Sequence, residues 1–321
     1  MRKQGLDALI LTAEDNVRYL NCQKMYHEND AWQDHSAAIL TADGKYWAFT
    51  SASSYEAEPN WKYYPMPPGT IIPDRWARCF KAVLKKFGVG DGAKIGLDQL
   101  TFNVADELRK VLPQSDFVPA ARLMMMQRAI KNKLEIKLLR EAARITDIGL
   151  EIGLITGRTP GVRENEVYAK IMAAMIEAGS EGPPFFSIIS SGPRGAKDFL
   201  MTNKRIREGE LFHFDCGCFV EGYNGDSART GFCGRGSPSA EVKKLYRAAY
   251  DCYMAGMKKV KPGVLGSEVD AACRESLKES GYPEYETWTA HGLGLIGNEF
   301  PFFGPPSEAQ DLDMKLKKIW S

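Results

Sequence analysis

Two acidic residues in a glycine-rich stretch give the first chemical signal in this 321-residue sequence. Within Glu210 to Gly231, strand alternation puts Leu211, His213, Asp215 and Gly217 on one face and Phe212, Phe214 and Cys216 on the other. A return strand from about Tyr223 to Phe232 pairs with it through a corner at Glu221 and Gly222. With the turn centred between Val220 and Glu221, Asp215 and Asp226 stand directly opposite each other, their Cβ atoms about 5 Å apart. Like charges so placed destabilise a sheet unless something neutralises them, and a divalent cation does that. Oxygen donors on adjacent strands suit Mn²⁺, Co²⁺, Zn²⁺ or Fe²⁺. The plain alternative is that one carboxylate points outward, or that both are solvated near the strand ends, with a bulge at Gly222 changing the register.

A third donor is available at His291, where Gly292 and Gly294 permit close backbone approach. The sequence holds four histidines. His27 and His35 lie in a polar stretch and His213 lies beside Asp215, and these three read as hydrogen-bonded polar residues rather than ligands. Cys216 and Cys218 share the face opposite Asp215, so they read as small buried hydrophobes. The seven cysteines are odd in number and form no Cys-x-x-Cys pair, which points to reduced thiols rather than a disulfide framework.

The elements that must position these residues are mixed. Ala8 to Thr12 suits a buried strand, and Glu14, Asp15 and Asn16 supply helix-start chemistry. Ala37 to Thr41 and Lys45 to Thr50 flank an Asp43-Gly44 turn. Helices are expected over Asp74 to Phe87 and Asn103 to Leu112, and strands over Lys94 to Leu97 and Asp116 to Pro119. After a boundary between about Pro119 and Lys133, Glu135 to Ile155 and Glu164 to Ala178 read as amphipathic helices broken at Pro160 and Gly161. Strands follow from Phe185, then helices over Ser237 to Val260 and Gly266 to Ser280. The order suggests two similar halves.

Composition narrows the function. The 42 Lys and Arg nearly balance the 41 Asp and Glu, and a net charge of +1 gives no field that would gather nucleic acid or an anionic membrane, so small or neutral partners are expected. The longest apolar runs, Ala8 to Leu11 and Phe185 to Ile189, fall short of the roughly 18 to 20 residues of a bilayer span. The first residues do not read as a secretory signal, so a cytoplasmic location is expected.

The pattern Asp215, Gly217, Gly222, Tyr223, Asp226, Arg229, Thr230 and, far downstream, His291-Gly292-Leu293-Gly294 resembles the pita-bread metallopeptidase superfamily of methionine aminopeptidase, Xaa-Pro aminopeptidase, prolidase and creatinase. The run Gly5 to Leu11 with Asn16 to Leu20 resembles the start of the creatinase and prolidase amino-terminal domain. Lys133, Glu135, Ile136, Leu139, Arg140, Ala142 and Ala143 resemble the start of that family's catalytic domain. The resemblance implies an α/β (α+β) protein, with residues 1–122 as the amino-terminal α/β domain and 123–321 as the pita-bread domain.

It also implies a metal-dependent hydrolase that cleaves a C–N bond of a short peptide or small molecule with metal-activated water, and a homodimer. Asp215 would hold one divalent ion, Asp226 would bridge two, and His291 would bind the other. The family closes its site with two glutamates on later strands, and the sequence reaches Ser321 before such strands. The pita-bread domain is therefore expected to lack its last strands, and three ligands are expected to bind metal weakly. Glu299, Glu308, Asp311 and Asp313 are expected to be solvated in a polar tail. Asn298 occupies the place, seven residues after His291, where peptidases of the family contact substrate with a histidine. Asp198 and Phe199 lie where an upstream histidine would stand. These departures keep open a small-molecule hydrolase, a dimethylsulfoniopropionate-type lyase, or an inactive binding protein of the same fold.

Overall fold

The computed structural model of the protein describes residues 1–21, 36–50, 73–183, 188–197, 200–283, 288–304 and 313–317. The chain divides into two compact units, Met1–Gln127 and Arg128–Ser321. Among the described residues no helix is long and apolar enough to cross a membrane.

In the first unit, β1 (Ala8–Leu11), β2 (Ser36–Thr41), β3 (Tyr46–Thr50), β4 (Lys94–Leu97) and β5 (Asp116–Pro119) form one sheet in the order β3-β2-β1-β4-β5. The β1–β4 and β4–β5 pairs are parallel, and the other two are antiparallel. Every residue of β1 is buried because the sheet is covered on both faces. Ala8 and Ile10 pack with Trp76, Phe80 and Leu84 of α2 (Pro73–Lys86) and Leu108 of α3 (Phe102–Val111). Leu9 and Leu11 turn the other way, against Val17 of α1 (Glu14–Asn21) and Met124 of α4 (Ala121–Arg128). The start of α1 is held from a distance: the Asp98 carboxylate accepts the amides of Thr12 and Ala13 and the Asn16 side chain.

In the second unit, α5 (Lys133–Gly157) begins at a reciprocal cap. Asn132 accepts the amides of Leu134 and Glu135, and the Glu135 carboxylate accepts the Asn132 amide. That cap starts the helix two residues before the expected Glu135. Helix α6 (Glu164–Glu177) lies beside α5, and the three-stranded antiparallel sheet β10-β7-β6 packs against them, with β7 (Leu211–Cys216) between β6 (Ile188–Ser191) and β10 (Ser227–Phe232). Gly149, Gly153 and Gly157 let α5 approach closely, since a Cβ on any of them would stand less than 3.0 Å from Met175, Ile171 or Phe212. A small hairpin, β8 (Phe219–Val220) and β9 (Tyr223–Asn224), joins β7 to β10. Then come α7 (Ala240–Lys259), α8 (Gly266–Glu279) and the hairpin of β11 (Ala290–Gly292) with β12 (Glu299–Phe303). The two expected halves thus differ among the described residues: the second places a two-stranded hairpin where the first places three strands.

Candidate metal centre

The site begins with the alternation of β7. Phe212, Phe214 and Cys216 are fully buried among Ile171, Val167 and Met175, while Leu211, His213 and Asp215 face the opposite, partly open side. Each buried phenylalanine contributes roughly 1.5–3 kcal/mol of transfer free energy, which fixes which way β7 lies on the helices and so which way Asp215 points.

The connection to β10 differs from the expected one. The turn is the residue pair Glu221 (φ 49°) and Gly222 (φ 78°), both in the left-handed region, as a two-residue hairpin with strong right-handed twist requires. Its centre therefore lies one residue later than Val220 and Glu221, and the register moves by two. Asp215 faces Ala228, and Asp226 sits diagonally across rather than directly opposite. A shift of two preserves the face, so the carboxyl groups remain close enough to interact.

Burial and then the Asp226 carboxylate push Asp215 up to about 6, and burial raises Asp226. Below about pH 6 and without a cation, a pair raised in this way shares a proton. Asp215 Oδ1 is buried and makes no hydrogen bond.

His291 arrives on β11. Its Nδ1 lies 2.9 Å from the carbonyl of Gly292, and because a carbonyl only accepts, Nδ1 carries the proton. In the neutral ring that leaves the Nε2 lone pair 3.7 Å from Asp226 Oδ2. Asp226 thus touches both Asp215 and His291, but among the described residues no three His, Cys, Asp or Glu side chains stand at metal-holding spacing. The donor set nevertheless fits a divalent ion in kind. It offers an orphaned buried carboxylate oxygen, two carboxylates that repel each other, and an imidazole nitrogen free to donate.

Other singled-out residues fall elsewhere. Asn298 is exposed, immediately before β12. Cys216 and Cys218 are buried away from the carboxylates, and Cys218 Sγ lies 3.1 Å from the Ala142 carbonyl. Phe185, Asp198, Phe199, Glu308, Asp311, His27, His35 and Cys22 lie outside the described residues.

Glu299 overturns the expectation that it is solvated. It is 1% exposed, and its carboxylate accepts from Lys131 Nζ at 2.6 Å and Arg128 Nε at 3.1 Å. Asp313 is partly buried and accepts the amide and hydroxyl of Ser267 at the start of α8. Both carboxylates escape the usual exposure of their type because each has charged or N–H partners.

Asn224 was not anticipated. Fully buried two residues before Asp226, it donates both its amide and its Nδ2 to the Gly294 carbonyl, each at 2.8 Å. Its place inside the Gly222 to Asp226 run was the available signal.

The family model for metallopeptidase family M24 matches residues 137–318, and that for the creatinase/prolidase N-terminal domain matches residues 1–130. An Xaa-Pro dipeptidase of Pyrococcus horikoshii is 30% identical over 94% of this chain and 81% of its own length. An uncharacterised peptidase of Bacillus subtilis is 28% identical over 95% of this chain and 83% of its own. Among solved structures, the Pyrococcus horikoshii prolidase superposes with a TM-score of 0.80 at 25% identity, covering 99% of this chain and 85% of the other. An Xaa-Pro dipeptidase from Bacillus anthracis gives a TM-score of 0.76 at 26% identity, covering 95% and 83%.

Proposed function

We infer the activity from the premise that the chain belongs to metallopeptidase family M24 and carries a creatinase/prolidase N-terminal domain ahead of it. It is a metal-dependent hydrolase of the peptidase type. Its proposed substrate is a short peptide with proline after the scissile bond, by similarity to the Xaa-Pro dipeptidases that resemble it over nearly its whole length. Asp215, Asp226 and His291 are the proposed ligands of one or two divalent ions, with Mn, Co, Zn and Fe all compatible with a carboxylate and imidazole set. A bound ion of this type supplies Lewis acidity and a water of lowered pKa.

The single observation that carries the reading is the Asp215–Asp226 contact: two half-buried carboxyls held together, one with an orphaned oxygen, beside an imidazole whose tautomer leaves Nε2 free. Asp226, touching both other groups, sets the centre of the site. Asn298, exposed beside the hairpin that carries His291, is the proposed substrate contact. A homodimer is part of the same proposal, and light scattering measures it.

The test adds Mn²⁺ or Co²⁺ to the protein and follows proline release from Xaa-Pro dipeptides, with Xaa-Ala dipeptides as controls. Release that needs added metal and disappears in Asp226→Ala is expected. A protein that takes up metal by calorimetry yet cleaves no dipeptide loses the peptidase assignment. One observation favours a second reading, a small-molecule hydrolase or lyase: Asn298 stands where the resemblance places a histidine, and an amide cannot shuttle a proton as imidazole does.

A further inference from the structure

We propose that Glu299 is a positioning residue that ties the hairpin bearing His291 to the hairpin bearing Asp226. The role given to His291 rests on the metal reading above, whereas the structural coupling does not.

Glu299 belongs to a triad of unbalanced charge. Glu299 and Arg128 are almost wholly buried, their side chains 1% and 2% exposed, and Lys131 is 10% exposed. Two cations against one anion in so dry a place carry a desolvation cost that the attraction need not exceed, so a triad of this kind is a poor source of stability and a good source of fixed geometry. What it fixes is visible on two sides of Glu299.

On the backbone side, Glu299 pairs in β12 with Gly292, the residue after His291, across a register irregularity between His291 and Gly292. On the side-chain side, the carboxylate fills the space above Gly294, where an added Cβ would stand 2.6 Å from Glu299 Cδ. The Gly294 carbonyl receives the two hydrogen bonds from Asn224, which sits in β9 two residues before Asp226. Both ligand-bearing hairpins therefore meet at one carboxylate: His291 through Gly292, and Asp226 through Gly294 and Asn224. Arg128 and Lys131 anchor that carboxylate just ahead of α5, the longest helix of the unit. The triad can thus set the position of Nε2 against Asp226 without touching either.

Amide hydrogen exchange on the full chain without metal tests the coupling. In Glu299→Gln the amide of Asn224, bonded to the Gly294 carbonyl, is expected to exchange about tenfold faster or more, and the amides of Gly292 and Gly294 to follow. The amides of β7 are expected to change less than about twofold. Lys131→Met removes only the less buried partner, so it serves as the second variant should Glu299→Gln fail to fold, and it is expected to give the same pattern at a smaller amplitude. A merely structural triad predicts that all amides loosen together. Uniform loosening, or an Asn224 amide unchanged in Lys131→Met, overturns the proposal. Because no metal is present, the exchange result stands whether or not Asp226→Ala abolishes dipeptide cleavage.

Discussion

The two halves of the second unit are held together in different ways. The half built from α5, α6, β6, β7 and β10 buries a continuous cluster that includes Ile145, Val167, Ile171, Met175, Ile189, Phe212 and Phe214. The half built from α7, α8, β11 and β12 buries a cluster of Cys252, Cys273 and Leu277, while Leu245, Tyr246, Tyr250, Tyr253, Met257 and Val260 of α7 and its end remain exposed. Polar contacts supplement that small core: Asp270 joins Arg274 and Thr289, Asp313 joins Ser267, and Glu299 joins Arg128 and Lys131. That contrast locates the vulnerable part of the candidate site. Asp215 and Asp226 sit on or beside a well-packed strand pair, and His291 is delivered by a hairpin whose placement depends on directional polar bonds.

The largest expected effect sharpens this contrast in the packed half. Phe214→Ala should cost about 3–5 kcal/mol in urea unfolding, because its ring fills a closed site between helix and sheet. The contrast breaks if Leu277→Ala, in the sparser half, costs as much. Next comes Asp270→Ala, which strips Arg274 of its 2.7 Å partner and Thr289 of the nearer of its two acceptors, at 3.0 Å. It should cost about 1.5–3 kcal/mol and raise exchange at β11 more than at β7.

A third experiment acts with the opposite sign. Asp215 titrates near 6 in the folded protein against an ordinary 3.8, so the folded state binds this proton more tightly than the unfolded chain does. Without metal, stability is therefore lost as pH rises from about 4 to about 6, and the whole loss is present at neutral pH. Asp215→Asn should recover about 1–2 kcal/mol at pH 7 after allowance for solvent screening, and nothing below about pH 4. An Asn variant that is no more stable than the parent at pH 7 would show that the two carboxyls do not strain each other. The smallest effect belongs to Tyr253→Ser, 60% exposed on α7, which should move stability by less than about 0.5 kcal/mol.

Much of the first unit was legible because each strand is short, apolar and bounded by turn residues. Lys94 to Leu97 and Asp116 to Pro119 appear with the expected ends. The start of α1 was less so: Asp98, more than eighty residues away, supplies acceptors that local Glu14 and Asp15 were expected to provide. In the site, alternation gave the faces of β7 correctly, but turn position could not be read from spacing alone. It depends on Glu221 adopting a left-handed conformation, which a residue with a Cβ rarely does. Glu299 departs from expectation because a carboxylate is usually solvated, although its neighbours Phe300, Phe302 and Phe303 carry the pattern of a strand.

The two-residue turn at Glu221 and Gly222 also limits how this loop can change length over evolutionary time. An insertion or deletion of a single residue between Cys216 and Ser227 would rotate the second acidic side chain to the packed side of the sheet, whereas one of two residues would slide it along the same side. Viable variants of the hairpin should therefore differ from this one by even numbers of residues, and an odd change should survive only where a bulge restores the count.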